Sequence, residues 1–329
     1  MAPGCNTRSG CERVAAHRPA SQPVARASGK GFAVRDVRVF LYPDLLRRVE
    51  ARRHGLLCPM IDLLRESGFE VSLHEDSPEN LHTGRDGYSV VRMIAPLGPQ
   101  GVTFRRTYLE PFYHIETTAN RWDWPVARGA FDPGQPAHKA ARFMKTQAGR
   151  LFGDRPVTRE GFVFVPLQGR LLEQRSFQSM TPVAMIEALL DHDPKRRIVA
   201  TLHPRETYTP AEITALERLE RIAPRFEMAR APSADLLTTC DYVATMNSSV
   251  ALQGYFIGKP AVLFGQVDFH HIAAKVPETG MEAIRAAPDL TPDYAAYLWW
   301  FFRVMAIRAA GDDAKRGIRS ALLRAGWPL

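Results

Sequence analysis

Short apolar runs alternate with amphipathic stretches through the second half of the chain. Five of these runs have the length of buried strands and are bounded by polar or turn-forming residues: residues 161–167, 197–202, 225–229, 241–246 and 261–264. Helical patterns lie between them, and two of these begin with threonine and proline, at 181–182 and 209–210, the residues preferred at a helix start. Strands that alternate with helices in this way predict a doubly wound α/β domain.

The first half shows the same alternation less regularly. Residues 37–42, 69–73 and 89–95 are predicted strands, and residues 45–67 a helix that Pro59 breaks into two pieces, because proline interrupts a helix interior. Residues 107–132 fit neither period and are rich in aromatic side chains. They predict either a segment that lines a binding cleft or a loop anchored to the core by its rings. Residues 136–152 predict a helix leading into a second domain.

These patterns divide the chain into four segments: a disordered tail over residues 1–36, a first α/β domain over 37–150, a second over 151–290, and helices over 291–329 that pack back across both domains. The tail lacks periodicity and is rich in Ala, Arg, Ser, Pro and Gly. In the last segment, the apolar block at 297–302 is too short to span a bilayer. It predicts a buried helix, and the alternative is a helix face that lies on a membrane.

Composition refines this picture only slightly. The 329 residues carry a net charge of +8, with 45% hydrophobic and 24% charged residues, as in ordinary soluble globular proteins. Half of the positive excess lies in residues 1–36, and no basic stripe is interleaved with aromatics, so nucleic acid is not an expected partner. The mild remainder suits anionic ligands or an anionic membrane surface. Four cysteines without a Cys-x-x-Cys pair, and no apolar signal segment, predict a reducing cytoplasm.

Polar residues follow two of the predicted strands where each strand ends. His203 and Pro204 come directly after one, and Asn247, Ser248 and Ser249 come after another, at the start of a helix. The carboxyl ends of parallel strands form the crevice in which such sheets bind ligands. Amide groups at a helix start, with hydroxyls beside them, suit a phosphate. The sequence therefore predicts an anion site here, the alternative being that these residues only cap a turn and a helix.

Gln168 follows a third strand and is expected to face the same crevice. Beyond it, Glu173 is a candidate nucleophile or general base for glycosyl transfer, and Glu116 in the aromatic segment is a second candidate carboxylate. A solvent-facing side chain in a polar loop is the alternative for Glu173. His203 is a further candidate catalytic residue, as a donor to the leaving phosphate.

Three more residues are candidates for the donor side of the site. Lys259 follows the helix that begins near residue 248, and His270 and His271 lie in a loop expected near the donor's base or sugar. Adjacent histidines in an extended chain point to opposite faces, so no metal site is expected. The glycine fingerprints of dinucleotide and P-loop sites, and the nucleophile elbow of α/β-hydrolases, are absent from the sequence.

Four motifs, taken in order, resemble the capsule polysaccharide biosynthesis proteins, which include the Kdo transferases: Phe164-Val-Pro166-Leu-Gln168, Thr201-Leu-His203-Pro204, Asn247-Ser248-Ser249 and Gly258-Lys259-Pro260-Ala-Val-Leu-Phe-Gly265. The resemblance covers about residues 160–275. It implies a GT-B glycosyltransferase, with two Rossmann-like domains whose parallel sheets face a cleft. It also implies metal-independent catalysis without a cofactor, and a CMP-activated acidic sugar as donor.

The resemblance also implies residue roles. His203, Ser248 and Ser249 would hold the donor phosphate, and Gln168 would lie beside the reacting sugar. The family places an aspartate a few residues after the Pro-Leu-Gln motif, whereas only Glu173, out of register, is available here. Residues 37–150 would form the acceptor side and residues 151–290 the nucleotide-sugar side.

The expected function is therefore sugar transfer from a nucleotide donor, such as CMP-Kdo, to a glycan or lipid-linked acceptor in capsule or other surface polysaccharide biosynthesis. The expected location is the cytoplasm, with peripheral inner-membrane contact as a further expectation. Two alternatives remain open: a non-catalytic protein that binds nucleotide or glycan in a polysaccharide assembly complex, and a GT-B-like nucleotide-sugar epimerase. A non-catalytic binding protein would show no turnover of the nucleotide sugar. An epimerase would convert the nucleotide sugar without any acceptor.

Overall fold

The computed structural model describes residues 35–311 and 313–329. The predicted tail falls outside this part of the chain except for Arg35 and Asp36. These two residues belong to the first strand, so the prediction is wrong for them.

The first half is built on a six-stranded sheet in the order β12-β5-β4-β3-β1-β2. Strands β1 to β4 are parallel where they pair, β5 is antiparallel to β4, and β12 is antiparallel to β5. The strands are β1 Arg35–Leu41, β2 Phe69–Glu75, β3 Tyr88–Arg92, β4 Gly101–Arg106, β5 Phe112–Glu116 and β12 Ile307–Arg308. The predicted β-α-β alternation is present, and an antiparallel edge is added to it.

Five helices accompany this sheet: α1 Pro43–Glu50, α2 Leu57–Glu66, α3 Pro78–Thr83, α4 Pro125–Arg128 and α5 Ala137–Phe152. The predicted break at Pro59 is wrong. The interruption lies at residues 51–56, and Pro59 sits in the first turn of α2. Backbone N–H groups in a first turn have no intrahelical partner, so a proline there costs the helix no hydrogen bond.

The aromatic segment is more regular than its sequence indicates. It contains β5, a 3₁₀ turn over Arg121–Asp123, and α4, and β4 precedes it without having been predicted. All five residues of β5 are buried. A strand covered on both faces loses the alternation of apolar and polar residues that identifies a half-exposed strand.

The second half holds a six-stranded sheet, parallel throughout its pairings, in the order β11-β10-β9-β6-β7-β8. The strands are β6 Phe162–Pro166, β7 Arg197–Thr201, β8 Phe226–Met228, β9 Tyr242–Thr245, β10 Ala261–Leu263 and β11 Ala274–Lys275. The helices are α6 Pro182–His192, α7 Pro210–Ile222, α8 Ser233–Thr239, α9 Ser249–Tyr255, α10 Val276–Thr279 and α11 Glu282–Ala286. This is the strand order of doubly wound nucleotide-binding sheets, so the predicted fold class is confirmed.

The chain then returns to the first sheet. Helix α12 (Tyr294–Trp299) continues into a π-helical turn over Trp300–Val304, β12 joins the first sheet, and α13 (Asp313–Arg324) follows. The aromatic block around Phe301 is buried, which confirms a core helix. The last segment, predicted to be helical, also contains a strand, because β12 begins at Ile307. Within residues 35–311 and 313–329, no helix has the length and apolarity needed to cross a bilayer.

Candidate functional site

The carboxyl ends of the central strands of the second sheet stop in one row. Pro166 pairs with Thr201 across β6 and β7. The register between β6 and β9, carried three residues on from the Val163–Tyr242 pair, places Thr245 beside Pro166. Two residues beyond this row come Gln168, His203 and Asn247. They therefore lie side by side at the carboxyl edge of the sheet, where neighbouring strands are roughly 4.8 Å apart. The strand-end residues predicted from the sequence therefore meet at one edge.

The imidazole of His203 is exposed at this edge and oriented by its own turn. Its Nδ1 accepts the backbone N–H of Arg205 at 3.2 Å, and its backbone N–H donates to the Tyr208 hydroxyl at 2.8 Å. An imidazole nitrogen that accepts carries no proton, so the neutral ring holds its proton on Nε2. That Nε2–H points away from the turn contact and can donate to a ligand. The turn-capping role and the ligand-binding role are compatible.

The residues at the start of α9 are more constrained than expected. The Ser248 hydroxyl caps helix α9 by accepting a hydrogen bond from the Val250 N–H at 3.3 Å. The backbone N–H of Ser248 donates to the Thr245 hydroxyl at 3.2 Å. Asn247 and Ser248 are buried, whereas Ser249 is half-buried. Of the two serines predicted to hold phosphate, Ser249 is thus the more accessible.

A cation unpartnered within the described residues lies next to Gln168. The Nε and Nη2 atoms of Arg175, and Oε1 of Gln168, are buried without a hydrogen-bond partner there. Both side chains line one small cavity with Thr245 and Met246. Burial, reinforced by the charge of Arg170, lowers the pKa of the Arg175 guanidinium. A desolvated cation at the carboxyl edge of β6 suits an anionic ligand, and the sequence alone did not single it out.

A larger cavity of about 670 Å³ opens beside His203, at the ends of β7 and β8. Thr201, Leu202 and Pro204 line it on one side, and residues 228–233 on the other. Its volume lies in the range of small-molecule sites, about 300–1,000 Å³. Pro204 therefore belongs to the wall of a pocket at the predicted edge.

Neither carboxylate predicted for catalysis stands in the row of strand ends. Glu173 is exposed and forms a surface ion pair with Arg170 at 3.5 Å. Glu116 ends β5, which runs antiparallel to β4 and so carries it toward the amino edge of the parallel strands. There it is buried and 3.2 Å from His114 Nδ1. The structure thus does not bring Glu173 or Glu116 to the other predicted site residues, because a side chain in a polar loop and one on an antiparallel strand cannot be placed from spacing.

A different carboxylate, Glu206, stands at the edge. Its backbone N–H donates to the His203 carbonyl at 3.2 Å, which closes a four-residue turn that carries both side chains. A Cβ built on Gly169 would lie 2.6 Å from Glu206 Oε2, so the glycine leaves room for this carboxylate next to Gln168. Proline at the second position of a turn is a recognisable signal, and reading residues 203–206 as a turn identifies Glu206.

Lys259 lies at the wrong edge for donor binding. It precedes β10, and its buried ammonium donates to the backbone carbonyls of Cys240, at 2.6 Å, and Thr158. Burial lowers its pKa. Both contacts hold the amino edge of the sheet together, so the structure places Lys259 apart from the other predicted donor-binding residues.

The two adjacent histidines have different roles. His271 Nε2 donates to the Gly129 carbonyl at 2.9 Å, and its Nδ1 lies 3.3 Å from the Tyr297 hydroxyl. Burial lowers its pKa to about 4, so the ring is neutral, and both its nitrogens are engaged. These contacts leave His271 no free nitrogen for the donor, in contrast to its predicted place in the site. His270 stacks on it at 4.3 Å between ring centres but faces a cavity. Over residues 35–311 and 313–329, no group of three His, Cys, Asp or Glu side chains is arranged to hold a metal ion.

The state of His271 predicts a loss of stability in mild acid. Its pKa falls from 6.5 to about 4 on folding, so between these values the unfolded chain takes up a proton that the folded chain does not. The stability present above 6.5 is lost as the pH falls through this window. We expect the urea midpoint to decline from neutral pH toward about 4, and His271→Gln to flatten the decline.

Urea titrations at a series of pH values measure this effect. His54, also shifted to about 4 by burial, keeps part of the slope in the variant. His138→Gln, on the exposed face of α5, is the control and should leave the slope unchanged. An equal slope in His271→Gln and the parent chain would contradict the assignment.

The carboxyl edges of the two sheets meet through a buried polar contact. Tyr108, just after β4, donates its hydroxyl to Asp268 Oδ1, and Arg121 Nη1 lies 3.3 Å from the same oxygen. Asp268 follows β10 and is fully buried. Burial raises the pKa of the Tyr108 hydroxyl, which stays protonated and donates. The strand ends of both halves therefore border the same cleft.

Comparison with known proteins supports this architecture. No family model matches the chain, and no curated protein matches it. The β-Kdo 2,7-transferase KpsC of Thermosulfurimonas dismutans has a similar structure, with a TM-score of 0.52 at 12% identity over 88% of this chain and 99% of that one. The β-Kdo 2,4-transferase KpsC of the same organism aligns with a TM-score of 0.39 at 15% identity over 76% and 89% of the two chains, too low to support an argument.

A UDP-GlcNAc 2-epimerase of Methanocaldococcus jannaschii aligns with a TM-score of 0.32 at 8% identity, over 80% of this chain and 97% of that one, and likewise carries no argument. The fold, with two Rossmann-like halves whose carboxyl edges face one cleft, is GT-B-like and similar to that of the T. dismutans β-Kdo 2,7-transferase. The resemblance to Kdo transferases read from the sequence motifs is thereby confirmed at the level of the fold.

Proposed function

We propose that the chain is a glycosyltransferase that uses a nucleotide sugar as donor. One observation carries the proposal: Gln168, His203 and Asn247 leave the second sheet in a single row, beside a cavity of about 670 Å³. In doubly wound sheets this edge is where nucleotides bind. The cavity has room for the nucleoside, and the row has donors for its phosphate.

Two donors face the leaving phosphate in this proposal. His203 offers Nε2–H, because its Nδ1 already accepts from Arg205. Arg175 offers a guanidinium with two buried nitrogens unpartnered among the described residues. Fixed donors in a partly desolvated site stabilise negative charge that develops as a bond breaks. Gln168 lies beside the reacting sugar, and Ser249 adds a hydroxyl at the start of α9.

In this proposal Glu206, rather than Glu173, is the catalytic carboxylate. Its carboxylate lies over Gly169, next to Gln168. The sugar gains positive charge as the phosphate leaves, and a nearby carboxylate stabilises that charge. Because His203 and Glu206 share one turn, they are held at a constant separation.

The donor in this proposal is an acidic sugar linked to CMP, such as CMP-Kdo, and the acceptor is a glycan or a lipid-linked glycan of a surface polysaccharide. The order of the four motifs supports this choice, and the T. dismutans protein with a similar fold is a β-Kdo 2,7-transferase. Transfer proceeds without a metal or another cofactor, at the cytoplasmic side of the inner membrane. The exposed cations Arg170 and Arg205 near the site suit an acidic donor.

Titration with CMP, UDP and CMP-Kdo in a calorimeter, followed by product analysis, tests the proposal. Binding of CMP-Kdo with release of CMP and a new sugar linkage supports it. Binding without turnover supports a second candidate, a non-catalytic nucleotide-binding protein. The position of Glu173 favours that candidate. The aspartate that the family places after the Pro-Leu-Gln motif is missing here, and Glu173, which could replace it, is exposed in a surface ion pair. Absence of nucleotide binding would overturn both.

The variant Glu206→Gln tests the carboxylate. We expect it to lower the rate of transfer by about 10²-fold, because a neutral amide no longer stabilises the positive charge on the sugar. The affinity for CMP should remain within about twofold, since Glu206 faces the sugar side. Glu173→Gln, which removes an exposed carboxylate that pairs with Arg170 away from the row of strand ends, is the matched control and should transfer at the parental rate. Equal rates in the two variants would remove Glu206 from the site.

A further inference from the structure

A second cavity, of about 420 Å³, lies between the two halves at the carboxyl edge of β10. Trp122 and Asp123 of the first half line it, together with Gln266, His270, Lys275 and Glu278 of the second. The larger cavity beside His203 shares none of these residues. Its walls thus combine an aromatic ring with a few polar groups, as in sites that orient a small molecule.

The Trp122 side chain, which lines the cavity, is held in place by Phe177. Its indole stacks on the Phe177 ring, with 5.5 Å between centres and 29° between planes. The Arg175 guanidinium lies over the same Phe177 ring at 4.8 Å. A continuous stack therefore joins the cavity to the cation that faces the donor phosphate. An aromatic ring held in this way offers a rigid apolar surface, on which the C–H face of a sugar ring can pack.

His270 is held in one tautomer. Its Nδ1 lies 2.7 Å from the Val267 carbonyl oxygen, which can only accept, so Nδ1 carries the proton. In the neutral ring, Nε2 is then an acceptor without a hydrogen-bond partner in the part of the chain that the structure describes, and the side chain lines the cavity. A histidine oriented by a backbone carbonyl, with its other nitrogen open to a pocket, has the geometry of a general base.

The charges of the cavity favour a neutral ligand. The Arg128 guanidinium, which donates to Asp123 at 2.9 Å, lowers the pKa of that carboxyl and keeps it ionised. Lys275 is paired with Glu278 at 2.7 Å. Each of the two carboxylates is thus paired with a cation, so the cavity has no excess positive charge for an acidic sugar, while the carboxylate oxygens can accept hydrogen bonds from hydroxyls.

We propose that this cavity binds the acceptor: a neutral sugar ring packs on Trp122, and His270 Nε2 accepts the proton of the hydroxyl that attacks the donor. The inference rests on the proposed glycosyltransferase function. The acceptor oxygen forms a bond to the anomeric carbon, and the bond from that carbon to the phosphate oxygen breaks. The phosphate leaves with the electron pair as nucleotide, and the proton passes to His270, which later loses it to solvent.

Saccharide binding tests the cavity without turnover. Saturation-transfer NMR with methyl β-D-glucopyranoside and methyl β-D-galactopyranoside is expected to show binding to the wild-type chain. Methyl β-D-glucuronide should bind at least about tenfold more weakly, because the cations at the cavity are already paired with Asp123 and Glu278 and leave its carboxylate without a partner. Trp122→Ala should abolish the signal, and Trp299→Phe, on α12, should not. Failure of both neutral glycosides to bind, or equal binding in Trp122→Ala, overturns the cavity.

His270→Asn tests the base. The asparagine amide can still donate to Val267, but no acceptor remains at the position of Nε2. We expect the turnover number for transfer from CMP-Kdo to these glycosides to fall about 10²-fold, the usual contribution of a positioned base, with the KM values unchanged. His138→Asn, exposed on α5, is the control. Parental turnover in His270→Asn overturns the role of His270 alone. Binding of glycosides with no turnover by the wild-type chain overturns the transferase function and this role, while the sugar cavity stands.

Discussion

Replacing His203 with alanine is expected to lower sugar transfer by about 10²- to 10³-fold, the loss seen when one donor to a developing negative charge is removed. The side chain is exposed, and its hydrogen bond within the described residues is with the backbone of its own turn. The fold should therefore be preserved, and the affinity for CMP should fall because the phosphate loses a donor. Initial rates with CMP-Kdo, calorimetry with CMP and circular dichroism measure these three effects.

Two further variants separate the roles of the imidazole. His203→Asn keeps an acceptor for the Arg205 N–H but shortens the reach of the donor, so it should also lose activity while the turn remains. His138→Ala is the control for loss of an exposed histidine and should behave as the parent. If His203→Asn transfers normally, the ring serves only the turn, and the phosphate contact assigned to it is wrong.

Asp268→Ala is expected to cause the largest loss of stability. The substitution leaves Arg121 buried without its counter-ion and the Tyr108 hydroxyl without its acceptor. Breaking a buried pair from one side costs about 3–5 kcal/mol, which corresponds to a thermal midpoint lower by roughly 10 °C. Because the pair joins the ends of β4 and β10, the relation between the two halves should loosen as well.

Thermal unfolding, followed by circular dichroism, measures the effect. Asp235→Ala is the matched control, since Asp235 forms an ion pair with Arg155 at 2.7 Å with both side chains about half exposed. Exposed pairs contribute about 0–1 kcal/mol, so this variant should unfold close to the parent. Similar midpoints for the two variants would show that the buried contact does not hold the halves together.

The parallel strands of the second half were predictable because they are buried on both faces. Such strands read as continuous apolar runs that end abruptly, and β6, β7, β9 and β10 all follow this pattern. Their common direction then brings Gln168, His203 and Asn247 to one edge. In the first half, β4 and β5 form an antiparallel pair that a βαβ pattern does not anticipate.

Side-chain positions off the strands were less predictable. Lys259 belongs to a Gly-Lys-Pro sequence that precedes a strand, and so lies at the amino edge, although its motif order suggested the site. Arg175 and Glu206 depend on how two loops fold over each other. Spacing along the chain carries no information about that contact. Pro204 is a turn signal that could have pointed to Glu206, but Glu206 was not among the predicted site residues.

The return of the chain to the first sheet has a consequence for biosynthesis. Strand β12 pairs with β5, and Ile318, Leu322 and Trp327 complete the apolar interior around β1. The amino-terminal half therefore cannot close its interior during translation until residues 307–327 have been made. Apolar residues of the first sheet therefore stay exposed while the carboxyl-terminal half is synthesised. Chaperones can bind these residues during that period.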